Sequence, residues 1–543
     1  MTATGAGAGT PRPPSREAVL NRAGLRSGAG TIASRITGLL RLVMVAYALG
    51  ETHLADAFNL ANSTPNIIHD LVLGGVLGAT FVPVFVNRLG NATHREATES
   101  ISAVVTLSAA GLLGATLLFE LLAPEIIRAY TFGAGSVAEQ HVAVELLRLF
   151  APQLLFYGAI SLMAAVLATQ DRFVAIGIVP VVNNVVSIGV LAAFAAIERA
   201  PSIGAIEGNT SLLLLLGLGT TAGVALQAVA LVPSMRRSSL RLHFVWRPSD
   251  PAVKGILSLS GWTFGFVLAN QVAVIVILAM EYHLGVGRVS AYTYAYTFFQ
   301  FPFGVAATAI VNVATPDLAR AWGEGDTALM GRRLGMALRQ LLALILPSMT
   351  AYLILARPAV TLILQHHQFS PADTHLTAAV LVLFALGLPA YCIYFLAIRT
   401  FQAMRDTRTA FWCYVVENGL NIGLAVLLYH RLGIQGLALS YSIAYTVAAV
   451  VALVVIRRRL GTMGGRAIAA SSLRSLAMAV LMAVVLALVV TLTGTSNGLL
   501  GWGKLLLATA AGGIAYFGGA GLAATLAERR IATSRGRHSL RGE

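Results

Sequence analysis

Apolar residues recur in runs of membrane-spanning length about fourteen times along the chain. The runs fall at 28–49, 53–86, 99–123, 141–169, 173–197, 210–235, 253–281, 288–316, 335–357, 375–398, 409–429, 433–456, 473–494 and 500–526. Each predicts a helix, because a chain crossing hydrocarbon must satisfy its backbone polar groups internally. The second run is long, and Gly74, Gly75, Gly78 and Pro83 predict a bend in it.

Polar residues break this pattern most sharply in the first two runs. The first carries Arg35 and Arg41, and the second carries Asp56, Asn59, Asn62, Ser63, Asn66, His69 and Asp70 at steps of three and four. That spacing places the second set along one helix face. A cation at the bilayer centre costs roughly 3 kcal/mol, so such groups are expected to face a polar cavity or a protein partner. The eighth run has its own stripe, Thr293, Tyr296, Thr297 and Gln300, without charge. The cavity is therefore expected to carry its cations on the wall from the first half.

The chain also repeats. ATQDRF at 168–173 has a counterpart in QAMRDTRTAF at 402–411, Asn184 and Ser187 align with Asn418 and Asn421, and Pro65 aligns with Pro302, at offsets of about 235 residues. Two six-span halves follow. Six being even, they keep one orientation and are related by an axis along the membrane normal, with the site expected between them. The last two runs fall outside the repeat.

Composition supports a polytopic membrane protein: 57% of the residues are hydrophobic and 11% charged. The net charge of +15 sits between the apolar runs and at the two ends. Arginines concentrate in alternate connections, around 88–95, 172, 236–254, 320–333, 399–408 and 457–466, while the other connections carry acids and histidines. An even span count with both termini cytoplasmic satisfies this bias, which is not that of a nucleic-acid surface. The expected parts are a disordered cytoplasmic tail at 1–26, a first lobe at 27–235 and a basic cytoplasmic loop at 236–252. A second lobe at 253–459, two further helices at 460–527 and a basic tail at 528–543 complete the chain. Cys392 and Cys413 lie in apolar surroundings and read as buried thiols.

Candidate residues carry alternative readings. Arg35 and Arg41 differ by about 120° around an ideal helix, and Arg35 is close enough to the end of its span to snorkel. Arg41 is deeper, and its guanidinium offers a planar fork suited to phosphate. Asp56 reads either as a cavity acid or as a helix N-terminal acid. Asn59, Asn62 and Asn66 read as substrate ligands or interhelical glue. His69 and Asp70 read as part of the face or as a local pair, and Glu145 with Arg148 as a surface ion pair. Glu417, Asn418 and Asn421 form a polar patch that would hold a coupling cation or proton, or a hydrogen-bond cluster. His366, His367 and His375 share an outer loop but lack a second class of metal ligand. No phosphate-binding GxxxxGK[ST], HExxH, CxxC or DDxxD motif occurs, so no ATP hydrolysis, enzyme activity, metal or cofactor is expected, and a gradient or the membrane potential would drive transport.

SRITGLLR, ADAF, PNIIHD and FVPVF, in the stretch 34–85, resemble the SRxxGxxR, TDAF, PNLLR and FVPxF series of the MurJ (MviN) lipid II flippases. LATQDRFVAIGIVPVVNN at 167–184, FQFPFGV at 299–305 and RTFQAMRDTRTAF at 399–411 extend the resemblance. It implies an all-α exporter of the MOP superfamily, with two six-helix lobes around a cationic cavity and two extra C-terminal helices, in the inner (plasma) membrane. It implies transfer of the undecaprenyl-diphosphate-linked peptidoglycan precursor, lipid II, by alternating access, with cell-wall synthesis proteins as partners. On this resemblance Arg35 and Arg41 match the cavity arginines and Asp56 the acid of TDAF, acting near the outer gate. His69 and Thr297 stand where the family often has arginine. Asn59, Asn62, Asn66, Thr297 and Gln300 complete the expected substrate wall. The rivals are a polysaccharide-lipid flippase or multidrug antiporter of the same superfamily, and a membrane-embedded glycosyl- or prenyltransferase. The antiporter would need acids to dominate the cavity; the transferase would need a carboxylate pair.

Overall fold

A computed structural model describes residues 16–69, 81, 84–85, 93–132, 135–170, 172–238, 240–259, 261–494 and 498–521. The described residues form an all-helical protein. Eleven of its helices are long and apolar enough to cross a membrane. Three further crossings complete the expected fourteen. The second span is described over His53–His69. The seventh, Gly261–His283, has a shorter apolar stretch. The helix Thr407–Leu460 is two spans, the eleventh and twelfth, joined where Gly433 adopts φ 57° and ψ −136°. Glycine alone takes such a conformation without a Cβ penalty. The bend expected at Gly74, Gly75, Gly78 and Pro83 lies outside the described residues.

Local sequence explains where other helices begin. Thr93 and Glu96 form a reciprocal capping box at the third span, His94–Leu121, and Ser370 with Asp373 forms another at the tenth, Pro371–Ala403. Asp406 accepts from the Thr409 amide at 2.9 Å to start the eleventh span and pairs with Arg459 at the end of the twelfth. One boundary differs from expectation. The first helix is described over Arg16–Leu49, so it includes part of the segment expected to be a disordered tail. The residues EAVLNRAGLR are mostly strong helix formers, and that propensity outweighs the Gly- and Pro-rich composition of the residues before them.

The first lobe packs the first and second spans against the fourth (Val137–Phe150 and Gln153–Ala168), the fifth (Phe173–Ile178 and Pro180–Ile197) and the sixth (Thr210–Arg236). The second lobe is built around the tenth span, which packs on the eighth, the ninth (Thr327–Leu364) and the eleventh and twelfth. Its centre is aromatic: Tyr296, Phe299, Phe384, Tyr391, Tyr441 and Tyr445 meet at centroid separations of 4.5 to 6.1 Å. The thirteenth and fourteenth spans, Gly465–Thr493 and Gly498–Gly513 with its continuation, lie against the ninth through Leu346, Leu355, Met482 and Leu486. Exposed Leu117, Leu427, Val484 and Leu492 form part of an apolar outer surface suited to hydrocarbon.

The eighth span is interrupted. Arg288–Pro302 passes through a π turn, Phe303–Ala307, into Thr308–Gly323. Pro302 lacks an amide hydrogen and crowds the preceding turn, the usual cause of such a break.

The tenth and twelfth spans cross at a glycine. A Cβ on Gly387 would lie 2.5 Å from Ser442 Oγ and 2.7 Å from its Cα. Gly387→Ala should therefore destabilise the second lobe by about 1–3 kcal/mol through overpacking. Thermal unfolding of the purified protein in detergent measures this; an unchanged midpoint would show that the crossing relaxes.

Candidate functional site

Arg41, half-buried, lines a cavity of ≈ 90 Å³ between the lobes. Gly38, Asn59, Asn62, Ser187 and Thr220 of the first lobe and Thr293 and Thr297 of the second complete its polar wall. The helical periodicity of the second span brings Asn59 and Asn62 toward Arg41, while Thr293 and Thr297 lie one turn apart on the eighth. The volume suits a few waters or one small polar group.

Arg35 takes a different position. It is exposed on the first span, and its guanidinium lies against the π turn of the eighth: a Cβ on Gly304 would be 2.8 Å from Arg35 Cζ. Glycine at 304 thus makes room for the cation. Ile32, Ile36 and Leu40 are exposed on the same stretch of the first span, and Val305 on the eighth. An arginine and apolar side chains therefore share the seam between the first and eighth spans.

The lobes meet at one end through a carboxylate and a helix N-terminus. Asp56, only 2% exposed, accepts from the Gly287 amide (2.6 Å), the Ser290 amide (2.9 Å) and Ser290 Oγ (2.7 Å). The eighth span begins at Arg288, so Asp56 caps it from the other lobe, where the helix dipole favours negative charge. Of the two readings of Asp56, the helix N-terminal acid describes this geometry, though the helix is not its own. The carboxylate is engaged in these bonds and does not line the Arg41 cavity. Asn59 Nδ2 donates to Ser290 Oγ (3.0 Å), and Tyr294 Oη donates to the Gly50 carbonyl (2.9 Å). Gly287 needs to be glycine: its φ is 77°, and a Cβ would meet the Glu51 carbonyl at 2.6 Å.

Glu51 closes the same seam from the turn between the first and second spans. Thr377 Oγ1 of the second lobe donates to its Oε1. Burial pushes the Glu51 carboxyl up to about 9; the bond from Thr377 opposes this, Asp373 and Asp56 add to it, and Arg288 opposes it. Sequence reading placed Glu51 in an acidic connection without a role. No periodicity marks a turn residue, and the signal available was an acid two residues beyond an apolar run.

A second cavity, ≈ 280 Å³, opens between the second lobe and Ser63 of the second span. Glu281, Glu417, Asn270, Asn418, Asn421 and Ser63 supply its polar lining, with Thr293 and Thr297 shared between both cavities. Glu417 is 1% exposed, and its Oε2 has no hydrogen-bond partner among the described residues. Asn421 Oδ1 accepts from Ser440 Oγ (3.0 Å), and Asn418 Nδ2 donates to the Tyr414 carbonyl (2.8 Å). Glu281, at the end of the seventh run, reads from sequence as part of an outer connection, and Asn270, beside Gln271 in an apolar run, has no role in that reading.

Other expected ligands separate. Gln300 Nε2 donates to Tyr296 Oη (2.6 Å) and Tyr391 Oη (3.3 Å) within the aromatic centre. It belongs to the packing of the second lobe and not to the Arg41 wall, because one helical stripe is divided between two faces. The side chains of Asn66 and His69 lie outside the described residues.

A family model described as "Lipid II flippase MurJ" matches residues 45–505. A relative described as "Probable lipid II flippase MurJ", from Rhizobium meliloti (strain 1021), is 29% identical over 426 residues, covering 77% of each chain. The fold is similar to that of a solved "Lipid II flippase MurJ, inward closed conformation", with a TM-score of 0.73 at 21% identity over 91% of this chain and 98% of that one. An inward-facing multidrug resistance MATE family transporter of the MOP superfamily has a TM-score of 0.64 at 15% identity, over 80% of this chain and 98% of that one.

The carboxyl of Glu51 makes the seam sensitive to pH. Relative to a state with Glu51 in water, the closed arrangement is fully favoured below about 4.5, and that preference is lost as pH rises toward about 9. Spin labels at Glu207→Cys and Ala372→Cys, on exposed sites of the two lobes, would report the separation. The short distance should lose population across this window, and Glu51→Gln should flatten the dependence; an unchanged pH profile in Glu51→Gln would remove Glu51 from the seal.

Proposed function

The chain belongs to the MurJ family of lipid II flippases, and from that premise we propose that it carries the undecaprenyl-diphosphate-linked peptidoglycan precursor from the inner to the outer leaflet by alternating access. It is a multi-pass membrane protein of a transport family. The observation that carries the reading of the site is Arg41, held beside Asn59, Asn62, Thr293 and Thr297 between the lobes. A guanidinium there neutralises a diphosphate through a bidentate fork, and amides and hydroxyls supply hydrogen bonds to a sugar–peptide headgroup. Such a headgroup is far larger than ≈ 90 Å³, so it enters only when the lobes part.

Arg35 meets the diphosphate first in this reading. It lies at the seam of the first and eighth spans, where exposed Ile32, Ile36, Leu40 and Val305 suit a polyprenyl tail that stays in lipid while the headgroup moves inward. Asp56 holds the opposite end shut by capping the eighth span, and opening toward the outer face requires it to leave Gly287 and Ser290. Glu417, Asn418 and Asn421 are proposed to take up a coupling cation or proton. The unpartnered carboxylate oxygen of Glu417 in the larger cavity supports this. A cationic drug would give Arg41 no partner, which favours an anionic lipid-linked cargo over the multidrug antiporter.

The termini are proposed to be cytoplasmic, with localisation in the inner membrane. An impermeant thiol reagent applied to whole cells should label Thr374→Cys, once opened by denaturant, from outside and leave Ser238→Cys unlabelled. Labelling of Ser238→Cys in intact cells would invert this topology.

Arg41→Ala should abolish complementation of growth after depletion of the native protein, with membrane abundance near normal, since removing a buried charge does not impair insertion. Arg41→Lys should retain partial activity, because charge survives while the fork is lost. Full growth on Arg41→Ala would remove Arg41 from substrate handling.

A further inference from the structure

The segment joining the two lobes is strapped to the third span. Leu240 is buried against Ile101, Val104, Leu162 and Val166. The His243 amide donates to Ser102 Oγ (3.3 Å), and the Val245 amide to Thr106 Oγ1 (3.2 Å). On the way back, Arg247 Nη1 reaches Glu99 (3.0 Å) and Asp250 accepts from Ser100 (3.1 Å). Arg172 fixes the root through the Ser234 and Arg237 carbonyls. The segment climbs the helix from Leu240, turns at Val245, and descends.

At the top of this turn, Phe244 is 80% exposed and Trp246 57%. Depth on the helix explains such exposure. Thr106 lies twelve residues into a helix that starts at His94, about 18 Å along its axis. From Ala109 onward the same helix turns apolar side chains outward: Leu113, Leu117 and Leu118 are each about half exposed. The two aromatic rings therefore sit at the level where the helix changes from a surface covered by the strap to an open apolar one. Aromatic side chains concentrate at that level in membrane proteins. Arg236, Arg237, Arg241 and Lys254 are exposed around the base of the turn, and the basic bias places this side in the cytoplasm.

We propose that residues 241–247 form a membrane-interface foot of the first lobe, with Phe244 and Trp246 inserted among the lipids of the adjacent leaflet and the surrounding cations engaging anionic phospholipid headgroups. The charge favours an anionic lipid surface, and the depth disfavours a soluble protein partner. All the strap's hydrogen bonds described above end on the first lobe or within the strap itself. The foot thus ties that lobe to one leaflet while the second lobe moves.

Single cysteines at Phe244→Cys and, separately, Trp246→Cys in the full chain accept an environment-sensitive fluorophore such as NBD. The native Cys392 and Cys413 are buried, and the chain without an added cysteine measures their background. In nanodiscs of phosphatidylcholine with phosphatidylglycerol, both labels should emit blue-shifted, lose intensity to shallow doxyl lipids and resist iodide. Replacing phosphatidylglycerol with phosphatidylcholine, or adding salt, should weaken the quenching. Emission typical of water at both positions, with iodide quenching and no doxyl quenching, would overturn the foot. Equal quenching in neutral and anionic discs would overturn the headgroup assignment, and shielding seen only with added soluble protein would assign the surface to a protein instead.

Discussion

A buried carboxylate is costly without donors, and among the described residues the donors to the Asp56 side chain all lie on the other lobe. Its two oxygens take up the Gly287 amide, the Ser290 amide and the Ser290 hydroxyl. Removing such bonds in a low-dielectric setting costs more than the bonds gain in water. The register of the two lobes is therefore set by where the eighth span begins. Gly287 has to be glycine to let the Glu51 backbone pass, and Tyr294 and Asn59 bond across the same seam because that register brings them there. A helix N-terminus also presents partial positive charge, so one contact satisfies both the acid and the unpaired amides of the helix.

Behind this seam the charges are divided. The cation Arg41 faces the smaller cavity, and the acids Glu281 and Glu417 face the larger one, which the second lobe lines except for Ser63. Thr293 and Thr297 touch both. A rotation of the eighth span would thus alter the two cavities together, and the same span carries the N-terminus that Asp56 holds. The eighth span is thus the shortest physical link between the two cavities.

Much of this was legible in the sequence because periodicity survives in a membrane. The fourteen runs, the paired halves and the face carrying Asn59 and Asn62 follow from apolar length and steps of three and four. What stayed hidden depends on pairs distant in sequence. Nothing local in ADAF announces that Asp56 caps a helix starting at Arg288, and the stripe Thr293 to Gln300 gives no sign that Gln300 turns toward Tyr296 and Tyr391. Glu281 and Glu51 are single acids at the ends of apolar runs, where a boundary shift of a few residues moves a side chain from water to the core. The first helix includes residues ahead of its apolar run because EAVLNRAGLR favours helix without being apolar.

The location of the seam also bears on the energetics of opening. Hydrogen bonds to a charged group contribute about 1.5–3 kcal/mol each, and three of them end on Asp56. Broken into hydrocarbon, they would lock the lobes. Asp56, however, stands one turn from the start of its span, beside the turns that hold Glu51 and Gly287, so water can replace each lost donor as the lobes part. The net barrier is then the small difference between protein and water as hydrogen-bond partners. A contact that is strong while dry and cheap to exchange once wet suits an element that must open on every cycle, and it sits at an end of the lobes, apart from the cavity that Arg41 lines.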